Sequence, residues 1–271
     1  YLLPNTNFQN TLFSLTIIYA YCKILSSNIK ELKVQQVIGR LRKAIDDYDM
    51  IEHGEKVTVA LSGGKDSALL LKGMAKLSEF HPKNFSVCAV YIDLGFGNTD
   101  IDAIKRLCDD TKVELCIKRT EIGKIIFEHR REKNPCALCA KMRRGAIHNA
   151  ALEMGSHKIA LGHHMDDAVE TFMMNLIYEG RIGCFQPVTY LSRKDVTVIR
   201  PMIYLNEREI KGAVKRLNIP VMKSPCPADG ATKREDTKNL LRELSKTHPD
   251  IKDNIFGAIQ RSGIDCWKIC D

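Results

Sequence analysis

Residues 57–71, VTVALSGGKDSALLL, decide the fold class of this chain. An apolar, β-rich run (Val57–Leu61) leads through two glycines into a helical pattern that begins near Ala68. Glycines let the backbone approach an anion closely, and the amide groups and positive dipole end of the following helix point at it. The stretch therefore predicts a nucleotide-binding phosphate loop. The residues predicted to bind the nucleotide are Ser62, Gly63, Gly64, Lys65, Asp66 and Ser67.

The spacing within this loop separates it from the other common phosphate loop. The pattern GxxxxGK[ST] would need a glycine at position 59, which is valine here, so a kinase- or GTPase-type loop is excluded at this position. The loop resembles the SGGxDS signature of the PP-loop ATP pyrophosphatases, enzymes that activate an oxygen by adenylation and release pyrophosphate. An ordinary glycine-containing turn between strand and helix is the structural alternative.

Composition favours an intracellular enzyme with an acidic partner. The 271 residues carry a formal net charge of +8, and lysines and arginines that neutralise phosphates would release counterions from a nucleic acid. Basic residues cluster, for example at Lys141, Arg143 and Arg144, although each cluster alone could be a solvated helix face. The ten cysteines are irregularly spaced and do not indicate a disulfide scaffold, so we expect a cytoplasmic protein.

The first 30 residues differ from the rest. No charged residue occurs from Tyr1 to Cys22, and residues 12–21 are largely apolar. This run is too short for a membrane span, and the basic start of a signal peptide is missing from the sequence. We interpret residues 1–30 as an N-terminal extension of unknown role and expect no membrane partner; a membrane-associated helix is the alternative.

From residue 31 onward, helical and strand patterns alternate, which predicts an α/β fold. Nearly continuous apolar strands separated by helices indicate a parallel sheet with helices on both faces. We assign residues 31–220 to a catalytic α/β domain and residues 221–271 to a C-terminal segment with helices. The predicted strands are Val57–Leu61, Ser86–Ile92, Val113–Ile117, Lys158–Leu161 and Thr197–Ile199.

Ligands of parallel sheets collect beyond the carboxyl ends of the strands. Asp93 follows the second strand, and the sequence GHHMDDAVET follows the fourth, at residues 162–171. Carboxylate oxygens suit Mg²⁺, so Asp66 with Asp166 or Asp167 could hold that ion against nucleotide phosphates. Helix capping by one aspartate is the alternative, and a zinc site is a third. The PP-loop family carries a matching GHxxDD stretch. The further predicted ATP contacts are Asp93, Gly162, His163 and Asp167.

Two cysteines form a second motif. Cys136 and Cys139 lie one turn apart at the start of a predicted helix, in the sequence PCALCAKMRRG, and a third candidate is Cys226 in SPCP. A CxxC pair alone is compatible with a redox pair, half of a zinc site or an iron–sulfur cluster. The pair therefore predicts cysteine chemistry without fixing its kind.

The region from Cys136 to Arg181 resembles the TtcA family of tRNA 2-thiocytidine synthetases. The shared features are CxLC followed by MRRG, the LGHHxDD run and the helix from Thr171 to Tyr178, and the resemblance extends over about residues 33–262. In that family, three cysteines hold a [4Fe–4S] cluster with one iron free to carry sulfide. The resemblance implies Cys136, Cys139 and Cys226 as the cluster ligands, with a single downstream cysteine where some members have two.

The resemblance also implies an activity. ATP and Mg²⁺ would adenylate the C2 oxygen of a tRNA pyrimidine, with Asp66 and the three cysteines as catalytic residues, and sulfur would then replace that oxygen. Lys141, Arg143 and Arg144 would contact the RNA. The implied partners are tRNA, ATP and a sulfur donor such as a cysteine desulfurase or free sulfide, and the family commonly forms homodimers.

Other functions stay open at this point. The 2-thiouridine synthetases carry additional CxxC zinc fingers at both ends of the chain, and this sequence has neither, so we expect 2-thiocytidine with 2-thiouridine as the alternative. A PP-loop adenylating ligase with structural zinc, or a non-catalytic RNA-binding module, are two further alternatives.

Overall fold

The computed structural model describes residues 34–97, 100–130, 135–222 and 233–269, with the backbone alone at residues 128–130. The predicted N-terminal extension, residues 1–30, lies outside these ranges, and so does Cys226.

A single mixed sheet organises the described residues. Its strands are β1 (Lys56–Leu61), β2 (Ser86–Asp93), β3 (Glu114–Arg119), β4 (Lys158–Ala160), β5 (Val188–Leu191) and β6 (Val196–Ile199). Their order across the sheet is β3-β2-β1-β4-β6-β5, and all neighbours are parallel except β5 and β6. The predicted α/β class is confirmed, and the chain order reverses beside β1, where ligands of such sheets bind.

Helices connect the strands and cover the sheet. They are α1 (34–47), α2 (Lys65–Ser78), α3 (Ile101–Thr111), α4 (Ile122–Lys124), α5 (Pro135–Glu153), α6 (Met165–Glu179), α7 (Glu207–Arg216), α8 (Lys233–Thr247) and α9 (Ile251–Ser262). A π-helical segment, Ile125–Arg130, follows α4 directly. Within these ranges, no helix combines the length and apolar character that a membrane crossing requires.

Both faces of the sheet are buried, as a parallel sheet requires. Successive side chains of a strand point to opposite faces, and β1 shows this alternation. Val59 belongs to a core shared with α1, α2, α3 and α7, whereas Ala60 belongs to a second core shared with α5. The strand therefore buries both of its faces, which explains why its sequence is a continuous apolar run.

The edge strand β5 was not predicted from the sequence. It pairs antiparallel with β6, from Val188 opposite Ile199 to Leu191 opposite Val196. Tyr190 is largely exposed, so β5 lacks the continuous apolar character by which the central strands were recognised. An edge strand needs to bury less of its surface, and its sequence signal is weaker for that reason.

The C-terminal segment forms helices, as predicted, and they pack on the α/β domain. Helices α8 and α9 both contact α6, and Leu241 and Ile259 are buried in the first core. The two helices are separate because Pro249, between them, has no amide hydrogen to continue α8.

Trp267 joins this C-terminal segment to the sheet. Its side chain is 1% exposed, and its ring lies 5.4 Å from Phe256, 6.0 Å from Phe185 and 6.2 Å from Tyr48. The indole nitrogen donates a hydrogen bond of 2.7 Å to the carbonyl oxygen of Phe185. One residue thus links the turn after α1, helix α9 and the segment before β5.

We expect Trp267→Ala to lower the free energy of unfolding by about 3–5 kcal/mol, because it leaves a large cavity among these rings. Trp267→Phe should cost less, about 1–2 kcal/mol, since it keeps most of the ring and loses chiefly the hydrogen bond. Urea unfolding followed by far-UV circular dichroism measures both. A loss below about 0.5 kcal/mol for the alanine variant would contradict this packing role.

Candidate active site

The predicted phosphate loop connects β1 to α2 and is closed by a serine. The Ser67 hydroxyl accepts a hydrogen bond from the Ser62 amide (3.0 Å), lies 3.0 Å from the Ser62 hydroxyl and donates to the Gly64 carbonyl (3.1 Å). These bonds fix the loop from its inner side. The amide groups of the first turn of α2 lack intrahelical partners, so the loop presents them, with the positive helix end, to an anion.

Two glycines in this region permit close contacts. Gly63 has a φ of +80°, and a Cβ there would lie 2.6 Å from the Met222 methyl group, while the Met222 amide donates to the Gly63 carbonyl at 2.9 Å. A Cβ on Gly162 would lie 3.1 Å from the Ser67 amide nitrogen. The end of β4 therefore touches the first turn of α2, and the two predicted ATP motifs meet.

His164 gathers three acidic side chains at this contact. Its Nε2 lies 3.8 Å from Asp66 Oδ1 and 3.4 Å from Asp167 Oδ2, and its Nδ1 lies 3.7 Å from Asp166 Oδ2. Asp66 Oδ1 and His164 Nδ1 are buried without a hydrogen-bond partner in the described part of the chain. Buried polar atoms normally have partners, so these atoms are candidates for contact with a ligand or ion.

The two neighbouring aspartates have different surroundings. Both oxygens of Asp166 have partners, the Glu207 amide at 2.7 Å and the Lys252 ammonium at 2.6 Å. Asp167 accepts from the His164 amide at 2.9 Å, which caps α6, and from Arg234 at 3.1 Å. The capping alternative thus describes Asp167. Among the described residues, no group of three or more His, Cys, Asp or Glu side chains is arranged as a metal site, so the magnesium ligands stay a prediction.

The predicted Lys65 has a partner that the sequence did not suggest. Its ammonium lies 3.0 Å from Asp66 Oδ2 and 3.6 Å from Glu207 Oε1. Burial would raise the pKa of Glu207, but hydrogen bonds from Lys211 and Lys238 outweigh it and lower the pKa to about 2. Glu207 is therefore ionised, and it holds Lys65 beside the loop.

Helix α8 adds a cation to the same place. Arg234 contacts Asp167, Glu170 Oε2 (3.4 Å) and the Thr171 hydroxyl (3.3 Å). Burial and the neighbouring Asp167 raise the pKa of Glu170. Arg234 was not predicted, because residues more than 60 positions apart carry no local pattern that joins them.

His163 points to a different set of partners from His164. Its ring stacks on Phe185 with centroids 5.2 Å apart, and its Nδ1 lies 3.3 Å from Arg200 Nε. Burial and the charge of Arg200 lower the pKa of His163 to about 4. His163 is therefore neutral at physiological pH, and Phe185 and Arg200 are further residues that the sequence did not single out.

Asp93 lies at the same edge of the sheet as the loop. It ends β2, two residues beyond Tyr91, which pairs with Leu61 at the end of β1. One carboxylate oxygen accepts from the Gly95 amide at 3.0 Å and forms a turn. The structure thus brings together Asp93, the loop, Gly162 and the residues that follow it.

The cysteine pair begins α5. Cys136 is exposed, and Cys139 is half-buried where it packs on the second core. Helix α5 follows β3 and precedes the parallel strand β4, so its first turn lies toward the carboxyl edge of the sheet. Lys141, Arg143 and Arg144 follow on the same helix, with Lys141 and Arg144 exposed. The third predicted ligand, Cys226, lies outside the described residues.

Comparisons with known proteins identify the family of this chain. A family model described as PP-loop domain matches residues 31–244. A relative from Geobacter sulfurreducens named tRNA-cytidine(32) 2-sulfurtransferase is 34% identical over 235 residues, covering 86% of this chain and 90% of the relative. A relative of the same name from Ralstonia nicotianae is 36% identical, covering 85% and 73%.

A solved structure supports the same relationship. The U34-tRNA thiolase NcsA from Methanococcus maripaludis, solved with its [4Fe-4S] cluster, is similar with a TM-score of 0.72 and 27% identity, covering 86% of this chain and 79% of that one. The chain therefore belongs to the PP-loop family and, within it, to the family of the tRNA-cytidine 2-sulfurtransferases.

Proposed function

We propose that this protein is an ATP-dependent tRNA sulfurtransferase that converts a cytidine to 2-thiocytidine, at position 32 as the names of its relatives indicate. The observation that carries the proposal is the meeting of the phosphate loop with the GHHMDD segment at the contact between Gly162 and Ser67. The first turn of α5, with two thiols, lies toward the same edge. In this proposal, the edge would hold both a site for adenylation and a site for sulfur.

The chain's own residues can bind and orient ATP. First-turn amides of α2 would hold the phosphates, and Lys65 would add a positive charge to them. The C2 oxygen of a flipped-out cytosine would form a bond to the α-phosphorus as the bond to pyrophosphate breaks. Lys65 forms ion pairs with Asp66 and Glu207. Bound phosphates would compete with these two carboxylates for the Lys65 ammonium group.

Asp66 and Asp167 are the better candidates for Mg²⁺. Asp66 Oδ1 is buried without a hydrogen-bond partner in the described residues, and Asp167 faces the same nitrogen of His164. Asp166 was the third predicted ligand. Both aspartates have partners on both oxygens, but the Asp166 side chain is only 6% exposed and is bound by Glu207 and Lys252, whereas Asp167 is 20% exposed and more open to an ion. Carboxylate oxygens beside a phosphate site suit a magnesium ion that neutralises phosphate charge.

Cys136 and Cys139 fit two ligand positions of a [4Fe–4S] cluster. Residues three apart on a helix lie on one face, so both thiolates can reach one metal centre. Cys226 would be the third ligand. Cys226 lies four residues after Met222, whose amide donates a hydrogen bond to the Gly63 carbonyl. Four residues span at most about 14 Å, so Cys226 lies within that distance of Met222. When bound, such a cluster would supply an iron that holds the sulfur nucleophile deprotonated.

The tRNA would lie across α5. Lys141 and Arg144 are exposed and Arg143 is half-buried, all within two turns of the cysteine pair. Phosphate contacts from such residues position an RNA without reading its sequence. The net charge of +8 would attract the RNA over a longer range.

Metal analysis tests the cluster part of this function. After anaerobic purification, we expect about four irons and four acid-labile sulfides per chain and a visible absorption that bleaches in air. Zinc without sulfide would contradict the proposal and favour an adenylating ligase with structural zinc.

Cys226→Ala should remove the cluster and abolish thiolation while ATP still binds, because the residue holds metal and not the nucleotide. Iron content, 2-thiocytidine formation and ATP affinity are the three measurements. Cys266→Ala is the matched control, since Cys266 is an exposed cysteine of the same C-terminal segment. A Cys226 variant that still thiolates tRNA would show that the three-cysteine assignment is wrong.

Asp167→Asn should raise the Mg²⁺ concentration needed for half-maximal ATP use about tenfold, as expected for a changed metal ligand. Asp166→Asn should act chiefly on stability, lowering the free energy of unfolding by about 2 kcal/mol, because the half-buried Lys252 loses its charge partner. Mg²⁺ titrations and urea unfolding separate the two effects. The reverse pattern would assign the magnesium site to Asp166.

A further inference from the structure

Arg200 is a buried cation at the end of β6. Its side chain is 9% exposed, and within the described residues no carboxylate forms an ion pair with it. The guanidinium instead donates to the Gln186 carbonyl at 2.5 Å and to the Thr189 hydroxyl at 3.1 Å. It also lies 4.9 Å above the centre of the Phe185 ring. Burying an arginine without a carboxylate costs free energy, so a functional reason for the residue is worth seeking.

The remaining contact of Arg200 fixes the state of a neighbour. Arg200 Nε donates to His163 Nδ1 at 3.3 Å. An arginine nitrogen cannot accept a hydrogen bond, so His163 Nδ1 must carry a lone pair, and the ring proton must be on Nε2. Burial lowers the pKa of Arg200 to about 10, which leaves it charged at neutral pH. The imidazole is therefore held as a neutral donor.

The charges around His163 agree with this state. Arg200, Arg234 and His164 lower its pKa, and Asp167 raises it. Stacking of the ring on Phe185, at an angle of 28° between the planes, restricts its rotation. The ring thus has one protonation state and one orientation.

The place of His163 in the chain is set by its neighbour Gly162. His163 follows Gly162, whose backbone abuts the first turn of α2, so it stands beside the phosphate loop. The charge of Arg144 on α5 contributes to lowering the pKa of Arg200. The backbone of His163 therefore lies next to the phosphate loop, and Arg200 lies within electrostatic range of the basic helix.

We propose that Arg200 is a positioning residue that holds His163 as a neutral Nε2–H donor to a phosphoryl oxygen of bound ATP. His163 donates a hydrogen bond and transfers no proton, and Arg200 acts only through His163. A proton on Nδ1 would leave Nε2 with a lone pair facing phosphate oxygens, which repel it. The inference rests on the proposed function only in requiring bound ATP, and it is independent of which base is thiolated.

Nitrogen-15 NMR of the labelled 271-residue protein tests the state of the ring directly. His163→Gln identifies the signals of His163 by their loss. In the unmodified protein at neutral pH we expect the proton on Nε2, and we expect ATP to shift that nitrogen. A proton on Nδ1, a charged ring or an Nε2 signal unaffected by ATP would overturn the proposal.

Substitution tests the part played by Arg200. Arg200→Gln should abolish the single Nε2–H form and weaken ATP binding about tenfold, the range of one lost charge-assisted hydrogen bond. Arg200→Lys, which keeps the charge and a donor, should recover part of both effects. Arg193→Gln removes the same charge from the exposed β5–β6 turn and should change neither. Unchanged ATP affinity in Arg200→Gln would contradict the positioning role.

Two further measurements keep these results interpretable. If Arg200→Gln does not fold, Thr189→Val removes one of the guanidinium contacts and should give a smaller change in the same direction, while no change would contradict the proposal. A tRNA thiolation assay on the unmodified protein is scored separately. Its failure would overturn the proposed function while the NMR and ATP results still decide the role of Arg200.

Discussion

The contact between Gly162 and the first turn of α2 is the constraint on which the rest of the site depends. A side chain at position 162 would push β4 away from the amide of Ser67, which lies 3.1 Å from where a Cβ would be. Because the two backbones touch, the loop after β1 and the GHHMDD segment after β4 line the same site. The parallel pairing of β1 with β4 sets this contact, and the pairing with β2 adds Asp93.

Charge balance at this edge comes largely from the C-terminal helices. Asp166 pairs with Lys252 of α9, Asp167 with Arg234 of α8, and Glu207 with Lys238 of α8. Without these cations, several carboxylates would lie close together beside a site for anionic phosphates. The packing of α8 and α9 on α6 is thus also an electrostatic requirement of the site.

Local sequence patterns predicted the parts of this protein that depend on local chemistry. The glycine loop, the central strands and the parallel sheet follow from residue spacing and apolar runs, and the family followed from the CxLC and GHHMDD motifs. Edge strand β5 escaped prediction because it needs little apolar surface. Arg200, Glu207 and Arg234 escaped it because each acts on a residue at least 37 positions away. Such contacts arise from topology and leave no mark in a local pattern.

The most direct test of the central claim is mass spectrometry of nucleosides from tRNA. Unmodified tRNA would be incubated anaerobically with the cluster-containing protein, ATP, Mg²⁺ and sulfide, and compared with the same reaction without ATP. We predict 2-thiocytidine that depends on ATP. Formation of 2-thiouridine in its place, or no thiolated nucleoside in a preparation that contains the intact cluster, would contradict the assignment.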